Sequence, residues 1–223
     1  MARDQVAPGF PSRLAEGYKA FHYGRLRHER ERYERLAAAG QTPEIMVISC
    51  CDSRASPEAV FDAAPGEMFV LRNVANLVPP YSPDGEYHGT SAALEFAVQV
   101  LKVRHIVVMG HGRCGGVQAF REQYEGNTSA PLSPGDFIGK WMSLLEPATS
   151  DIRCDDASLA EKRQRALEEA SIRKGLENLK TFPCVRILHD KGRIQLHGAW
   201  FDIASGGLSI MNPATGDFAP ATT

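Results

Sequence analysis

The sequence predicts an α/β fold built as one domain: a mostly parallel four-stranded sheet in the order 2-1-3-4 with an antiparallel edge strand, helices on both faces and an N-terminal helical arm. Three observations predict it. Apolar runs of strand length alternate with stretches of helical periodicity, and strands separated by helices lie parallel in one sheet. No internal repeat is present, and no stretch rich in Pro, Gly and Ser divides the chain. At 223 residues and 43% hydrophobic composition, the chain can bury a substantial core without disulfide staples.

Residues 12–40 carry Leu14, Tyr18, Phe21, Tyr33 and Leu36 at roughly helical spacing amid dense charge, and Gly40 closes the segment. One or two surface helices therefore form an arm ahead of a core at 41–211. Ile45-Met46-Val47-Ile48 reads as the first buried strand and Glu67-Met68-Phe69-Val70-Leu71 as the second. Between them Ser56 caps a helix with Pro57 at its first position. Thr90 or Ser91 caps a helix through Leu94, Ala97, Val98 and Leu101; a strand at His105 to Met109 and a glycine-rich turn into another helix follow. Asn127 to Gly135 reads as a loop and Leu159 to Leu179 as a long charged helix. Val185 to Leu188 reads as the fourth strand. A tight turn at Lys191-Gly192, too short for a crossover, makes Ile194 to Ile203 the antiparallel edge.

Charge narrows the function classes. With 25 Lys and Arg against 27 Asp and Glu, the net charge is −2 and the pI about 6.4, which argues against a basic nucleic-acid footprint. The longest apolar runs, Met68 to Leu71 and Ile106 to Met109, fall far short of the ~18 residues of a membrane span. Met1 to Phe10 shows no cationic segment followed by an apolar run and a small-residue cleavage site. The five cysteines, Cys50, Cys51, Cys114, Cys154 and Cys184, are odd in number and sparse, so they read as reduced thiols or metal ligands in a cytoplasmic protein.

Two clusters carry the chemistry. Ser49-Cys50-Cys51-Asp52-Ser53-Arg54 follows the first strand, and Gly110-His111-Gly112-Arg113-Cys114-Gly115-Gly116 follows the third. Open α/β sheets bind ligands at the carboxyl ends of neighbouring strands whose connections diverge, so adjacency of strands one and three gathers Cys50 or Cys51, Asp52, His111 and Cys114. Two thiolates and an imidazole are a zinc set, and three protein ligands leave an open position for water, whose pKa zinc lowers. Two thiolates cancel the ion's charge, so that water is less acidic than in a site of three histidines and activity improves at alkaline pH. Cys114 at a helix amino terminus is favoured as a thiolate. Arg54 can hold Asp52 through a two-pronged ion pair, ionised and turned to orient the nucleophile.

Other readings of these residues compete. Asp52 as a fourth ligand would close a structural site, and the cysteines and histidine could be unrelated core residues. The run from Gly110 to Gly115 is also G-x-G-x-x-G, but it follows the third strand and lacks the later acidic strand end that a dinucleotide site needs.

Taken together, Cys50-Cys51-Asp52-Ser53-Arg54, Pro65-Gly66-Glu67, Phe69 to Asn76, Gly89 to Phe96, Gly110 to Gly116 and His197 to Ile203 resemble the β-class carbonic anhydrases, in the same order, over about residues 41–211. The resemblance implies Cys50, His111 and Cys114 as ligands of one zinc per subunit, leaving Cys51 the variable position. It implies Asp52 and Arg54 as the catalytic pair beside them. The implied reaction is reversible hydration of carbon dioxide to bicarbonate and a proton, by attack of zinc-bound hydroxide. Substrate would be bound by Gln41, Phe69, Val74, Phe96 and Gly115.

Gln41, nine positions before Cys50, matches the family's open, plant-like type. Val47 stands where the other type has the Trp of a regulatory bicarbonate site, so that pocket, to which Arg72 would belong, looks incomplete. Arg113 adds a cation near the mouth; His88 and Tyr87 are the rim residues that could pass protons. Relatives of this family are dimers or assemblies of dimers with the amino-terminal helix on the neighbour and the cleft at the interface, which implies a dimer or tetramer here. Two alternatives stay open: a carbon disulfide or carbonyl sulfide hydrolase of the same fold, and a non-catalytic zinc-binding protein.

Overall fold

The computed structural model describes residues 9–127, 136–152 and 159–221. The chain divides into two units, Met1–Gln41 and Thr42–Thr223. In the first, α1 (Ser12–Ala20) runs through a wider π-helical turn at Phe21–Arg25 into α2 (Leu26–Ala39). Gly40, at φ +80°, ends the run, because glycine alone enters that region without strain. Phe21 meets Tyr33 edge-on at 5.9 Å between ring centroids, yet no residue of the two helices is buried.

In the second unit, side-chain alternation along β1 (Ile45–Cys50) sets the layers. Met46 and Ile48 enter one buried cluster and Val47 another, because successive strand side chains point to opposite faces. Parallel to β1, β2 (Met68–Asn73) and β3 (His105–His111) flank it. Next, β4 (Gln195–Phe201) lies parallel to β3, and β5 (Leu208–Met211) and β6 (Phe218–Pro220) add antiparallel. The sheet order is β2-β1-β3-β4-β5-β6. The α/β class and the mostly parallel sheet with an antiparallel edge are therefore as expected, with six strands in place of the four plus edge and with different residues as the fourth strand and the edge.

The short α3 (Pro57–Val60) joins β1 to β2, and α4 (Gly89–Glu95), extended by a π turn at Phe96–Leu101, leads to β3. From β3 to β4 the chain crosses through α5 (Gly115–Tyr124), α6 (Asp136–Met142), a 3-10 stretch at Ser143–Asp151, α7 (Ala160–Leu179) and α8 (Pro183–Asp190). Leu94 and Val98 from one side of this layer and Ile172, Leu176 and Leu179 of α7 cover Met46, Ile48, Ile106 and Val108.

The structure departs from the sequence expectation at two elements. The expected strand at Val185 to Leu188 is part of α8. Pro183 occupies its first turn, Val185 is fully buried, and Ile187 is exposed, the pattern of one helical face and not of a strand. Consequently Gln195–Phe201 is reached by a helical crossover and runs parallel, and the edge belongs to β5 and β6. The expected loop at Asn127 to Gly135 and the residue Cys154 lie largely outside the described residues.

At Gly110, β3 approaches α7 so closely that a Cβ would stand 2.8 Å from Ile172 Cδ1 and 3.1 Å from its Cγ1. Gly110→Ala is expected to destabilise the protein by about 1–3 kcal/mol through overpacking, read as a lower Tm in thermal unfolding.

Candidate metal centre

The carboxyl ends of β1 and β3 deliver the site. Cys50 is the last residue of β1, His111 the last of β3, and Cys114 caps the amino end of α5. Their ligand atoms all lie within 4.8 Å of one another, with the two sulfurs 3.9 Å apart. All three side chains are buried. Cys51, one residue on, lies past the end of β1, which is buried on both faces, and is exposed.

His111 Nδ1 lies 3.0 Å from the Gly112 carbonyl oxygen, to which it donates. Nε2 is then left buried with no hydrogen-bond partner, a costly state for a polar atom. A metal ion removes that cost by taking the imidazole lone pair, and two soft sulfurs with one nitrogen are what zinc selects. Cys114 donating to Cys50, together with the neighbouring His111 ring and the backbone N–H groups of Asp52 and Ala75, holds the Cys50 thiol well below its ordinary range against the opposing effect of burial. The Cys50 thiolate in turn, with burial, pushes Cys114 up. Two thiols sharing one proton are ready to exchange it for a cation.

Beside the cluster Arg54 grips Asp52. Nε donates to Oδ1 at 2.9 Å, Nη2 to Oδ2 at 2.7 Å, and the Arg54 backbone N–H to Oδ1 at 3.0 Å. Arg54 Nη2 also donates to the Arg113 carbonyl at 3.3 Å, tying this turn to the second cluster. Asp52 Oδ2 stands 3.9 Å from His111 Nε2.

Hydrogen bonding from Arg54 holds the Asp52 carboxyl far below its usual range, overcoming burial. A folded-state pKa depressed in this way gives stability that is present above an unfolded value of about 3.9 and is lost as pH falls below it. Acid titration of activity is therefore expected to show no step from Asp52 above about pH 4, checked by comparing pH profiles of the wild type and an Arg54 variant.

The remaining sequence candidates fall in different places. Arg72 straps the turn: Nε donates to the Cys50 carbonyl at 2.9 Å and Nη2 to the Asp52 carbonyl at 2.6 Å. Val74 follows Asn73, the register partner of Cys50, and abuts the first turn of α5, where a Cβ on Gly116 would lie 3.2 Å from Val74 Cγ1. Gly115 opens α5 onto free space.

Phe69 pairs in register with Met46, four residues and roughly 13 Å back along the strand from Cys50, and it packs on Phe96 at 5.9 Å between centroids. The structure does not bring these two rings to the cluster within this chain. Gln41 is exposed and is the last residue of the first unit, so the cluster is built from the second unit alone. Arg113, at φ +57°, pairs with Asp202 at 3.5 Å. His88 bonds Asp84 at 2.6 Å and lines a cavity of about 340 Å³ with Tyr81, Phe182 and Cys184, away from the ligand residues.

Comparison with known proteins accords with this geometry. Residues 45–208 match the family described as carbonic anhydrase. Over 190 residues the chain is 36% identical to β carbonic anhydrase 5 of Arabidopsis thaliana, a chloroplastic protein, covering 85% of this chain and 60% of the relative's length. The chain belongs to the β-carbonic anhydrase family. Among solved structures, the β-carbonic anhydrase CcaA superposes with a TM-score of 0.82 at 28% identity, covering 95% of this chain and 92% of that one. Tetrameric β-carbonic anhydrases of Sordaria macrospora match with a TM-score of 0.68 at 26% identity over 95% of both chains.

Within this β-carbonic anhydrase the sequence reading passed over a buried group behind the metal cluster. Glu168, Gln164 and Trp200 are all buried and are joined by hydrogen bonds, Trp200 Nε1 donating to Glu168 Oε2 at 3.0 Å. Burial pushes the Glu168 carboxyl up, and its donors pull it back only in part. The only local signal is an acid one turn after Gln164 on a helix buried almost all round.

Proposed function

We propose that the chain is a zinc enzyme that interconverts carbon dioxide with bicarbonate and a proton. The observation that carries this is the orphaned His111 Nε2 facing two buried sulfurs, next to a carboxylate fixed by an arginine. Cys50, His111 and Cys114 would hold the zinc, which when bound supplies a Lewis acid that makes hydroxide available near neutral pH.

Asp52 does the orienting. Gripped on both oxygens by Arg54 and kept ionised, it can only accept a hydrogen bond, so it takes the O–H of the attacking oxygen and leaves a lone pair directed at the carbon. Its engagement with Arg54 also keeps it from closing the coordination shell, which favours the open type over a purely structural site. Val74, beside the first turn of α5, and the open space at Gly115 would supply apolar surface for the uncharged substrate. The product anion would form near the amino end of α5, where the helix dipole favours negative charge.

The same reading includes self-association as a dimer or tetramer. It is supported by the tetrameric relatives and by the position of Phe69 and Phe96, on the edge strand β2 and the segment beside it, from which a neighbouring subunit's cleft could be lined. A compartment that keeps thiols reduced, such as the cytoplasm, fits the free Cys50, Cys51, Cys114 and Cys184. No helix among the described residues is long and apolar enough to cross a membrane.

Stopped-flow hydration of carbon dioxide by the zinc-loaded protein, followed across neutral to alkaline pH beside hydrolysis of carbon disulfide, tests the reading. Hydration that rises with pH, with no carbon disulfide turnover, is the expected result. Carbon disulfide turnover without hydration would replace the substrate and keep the site.

A further inference from the structure

Cys114 is the N-cap residue of α5, so its own N–H has no partner inside the helix. The partner comes from α7, where Glu168, only 2% exposed, places Oε1 3.0 Å from the Cys114 nitrogen. One turn earlier on the same helix, Gln164 Nε2 donates to that Oε1 at 2.8 Å and to the Cys114 carbonyl at 3.3 Å. From β4, Trp200 Nε1 donates to Oε2 at 3.0 Å. Arg121 Nε donates to Gln164 Oε1 at 3.1 Å and so fixes the orientation of the amide. The Arg165 guanidinium lies 4.3 Å over the Trp200 ring on the outer side.

Three N–H donors thus converge on one side chain, and only an acceptor on both oxygens satisfies them all. The turn they support is not one the backbone adopts freely. Arg113 sits at φ +57°, a region that costs a non-glycine residue free energy unless its surroundings impose it. Gly112 packs close under Trp200, where a Cβ would stand 3.0 Å from Cζ2.

We propose that Glu168 is a positioning residue of the metal centre: by accepting the Cys114 N–H from α7, it holds the His111–Cys114 turn in its ligand arrangement before any metal binds. The proposal rests on the reading of Cys50, His111 and Cys114 as zinc ligands. Outer partners of this kind typically change metal affinity 10- to 100-fold when altered.

The test uses the full chain, with zinc affinity measured by chelator competition and the thiolate-to-metal charge-transfer bands of the cobalt(II) form. A wild type without stoichiometric zinc and thiolate bands would sink the ligand reading itself. Given those, Glu168→Gln is expected to weaken zinc binding by about 10- to 100-fold and to alter the bands, because its NH2 meets the Trp200 N–H donor to donor. The double variant Glu168→Gln/Trp200→Phe removes that conflict and is expected to recover most of the affinity.

A folded Glu168→Gln protein with wild-type affinity and bands overturns the proposal, as does a folded double variant no better than the single one. If Glu168→Gln does not fold, amide hydrogen exchange on the wild type decides. Protection of the Cys114 N–H in the metal-free chain is expected; protection that appears only with zinc would show that the metal sets the turn, and would overturn the proposal.

Discussion

His111→Ala is expected to leave a folded protein that has lost both its zinc and its carbon dioxide hydration. The imidazole is the one nitrogen in the cluster, and without it two sulfurs make an incomplete set for zinc. The loss is expected to be of orders of magnitude in affinity, since metal binding must outcompete protons for the Cys50 and Cys114 thiols. Metal analysis after dialysis checks it, with Cys51→Ser as the control. Cys51 is exposed and outside the cluster, so that variant is expected to keep full zinc and full turnover. Retention of stoichiometric zinc by His111→Ala would remove the histidine from the site.

Asp52→Asn is expected to separate metal binding from catalysis. The amide keeps the shape but replaces one acceptor oxygen with a donor, which meets Arg54 donor to donor and can no longer hold the O–H of the nucleophile. Zinc content should stay at the wild-type value while kcat falls on the order of 100-fold, the lower end of what positioned proton acceptors contribute. Stopped-flow turnover at matched zinc loading measures this. If Asp52 were a fourth ligand, the same substitution would release zinc; unchanged turnover would take Asp52 out of the mechanism.

The site was more legible in the sequence than the fold around it. Both clusters are contiguous, but spacing left Cys50 and Cys51 open and only the family resemblance chose Cys50, which the structure buries in the ligand group while Cys51 stays exposed. The strand reading of Val185 to Leu188 failed because four apolar-rich residues fit either period, and Pro183 two positions earlier was the neglected marker of a helix start.

The two edge strands went unread although their turns repeat one chemistry. Asp202 and Asn212 each accept the N–H two residues on, and Gly206 at φ +73° and Gly216 at φ +76° each close back on them. Beyond an acid one turn after Gln164, the sequence carries no sign of Glu168's role, because its partners Cys114 and Trp200 lie 54 and 32 positions away. Spacing likewise could not show that Phe69 lies four residues back from the metal end, since that depends on the β1–β2 register.

Carbon dioxide hydration measured by stopped flow as a function of zinc added to the metal-free chain bears most directly on the whole reading. The rate should rise in proportion to bound zinc and level off when each chain holds one ion. A chain saturated with zinc that hydrates carbon dioxide no faster than buffer at any pH up to about 9, where a zinc-activated water should already ionise, would contradict it.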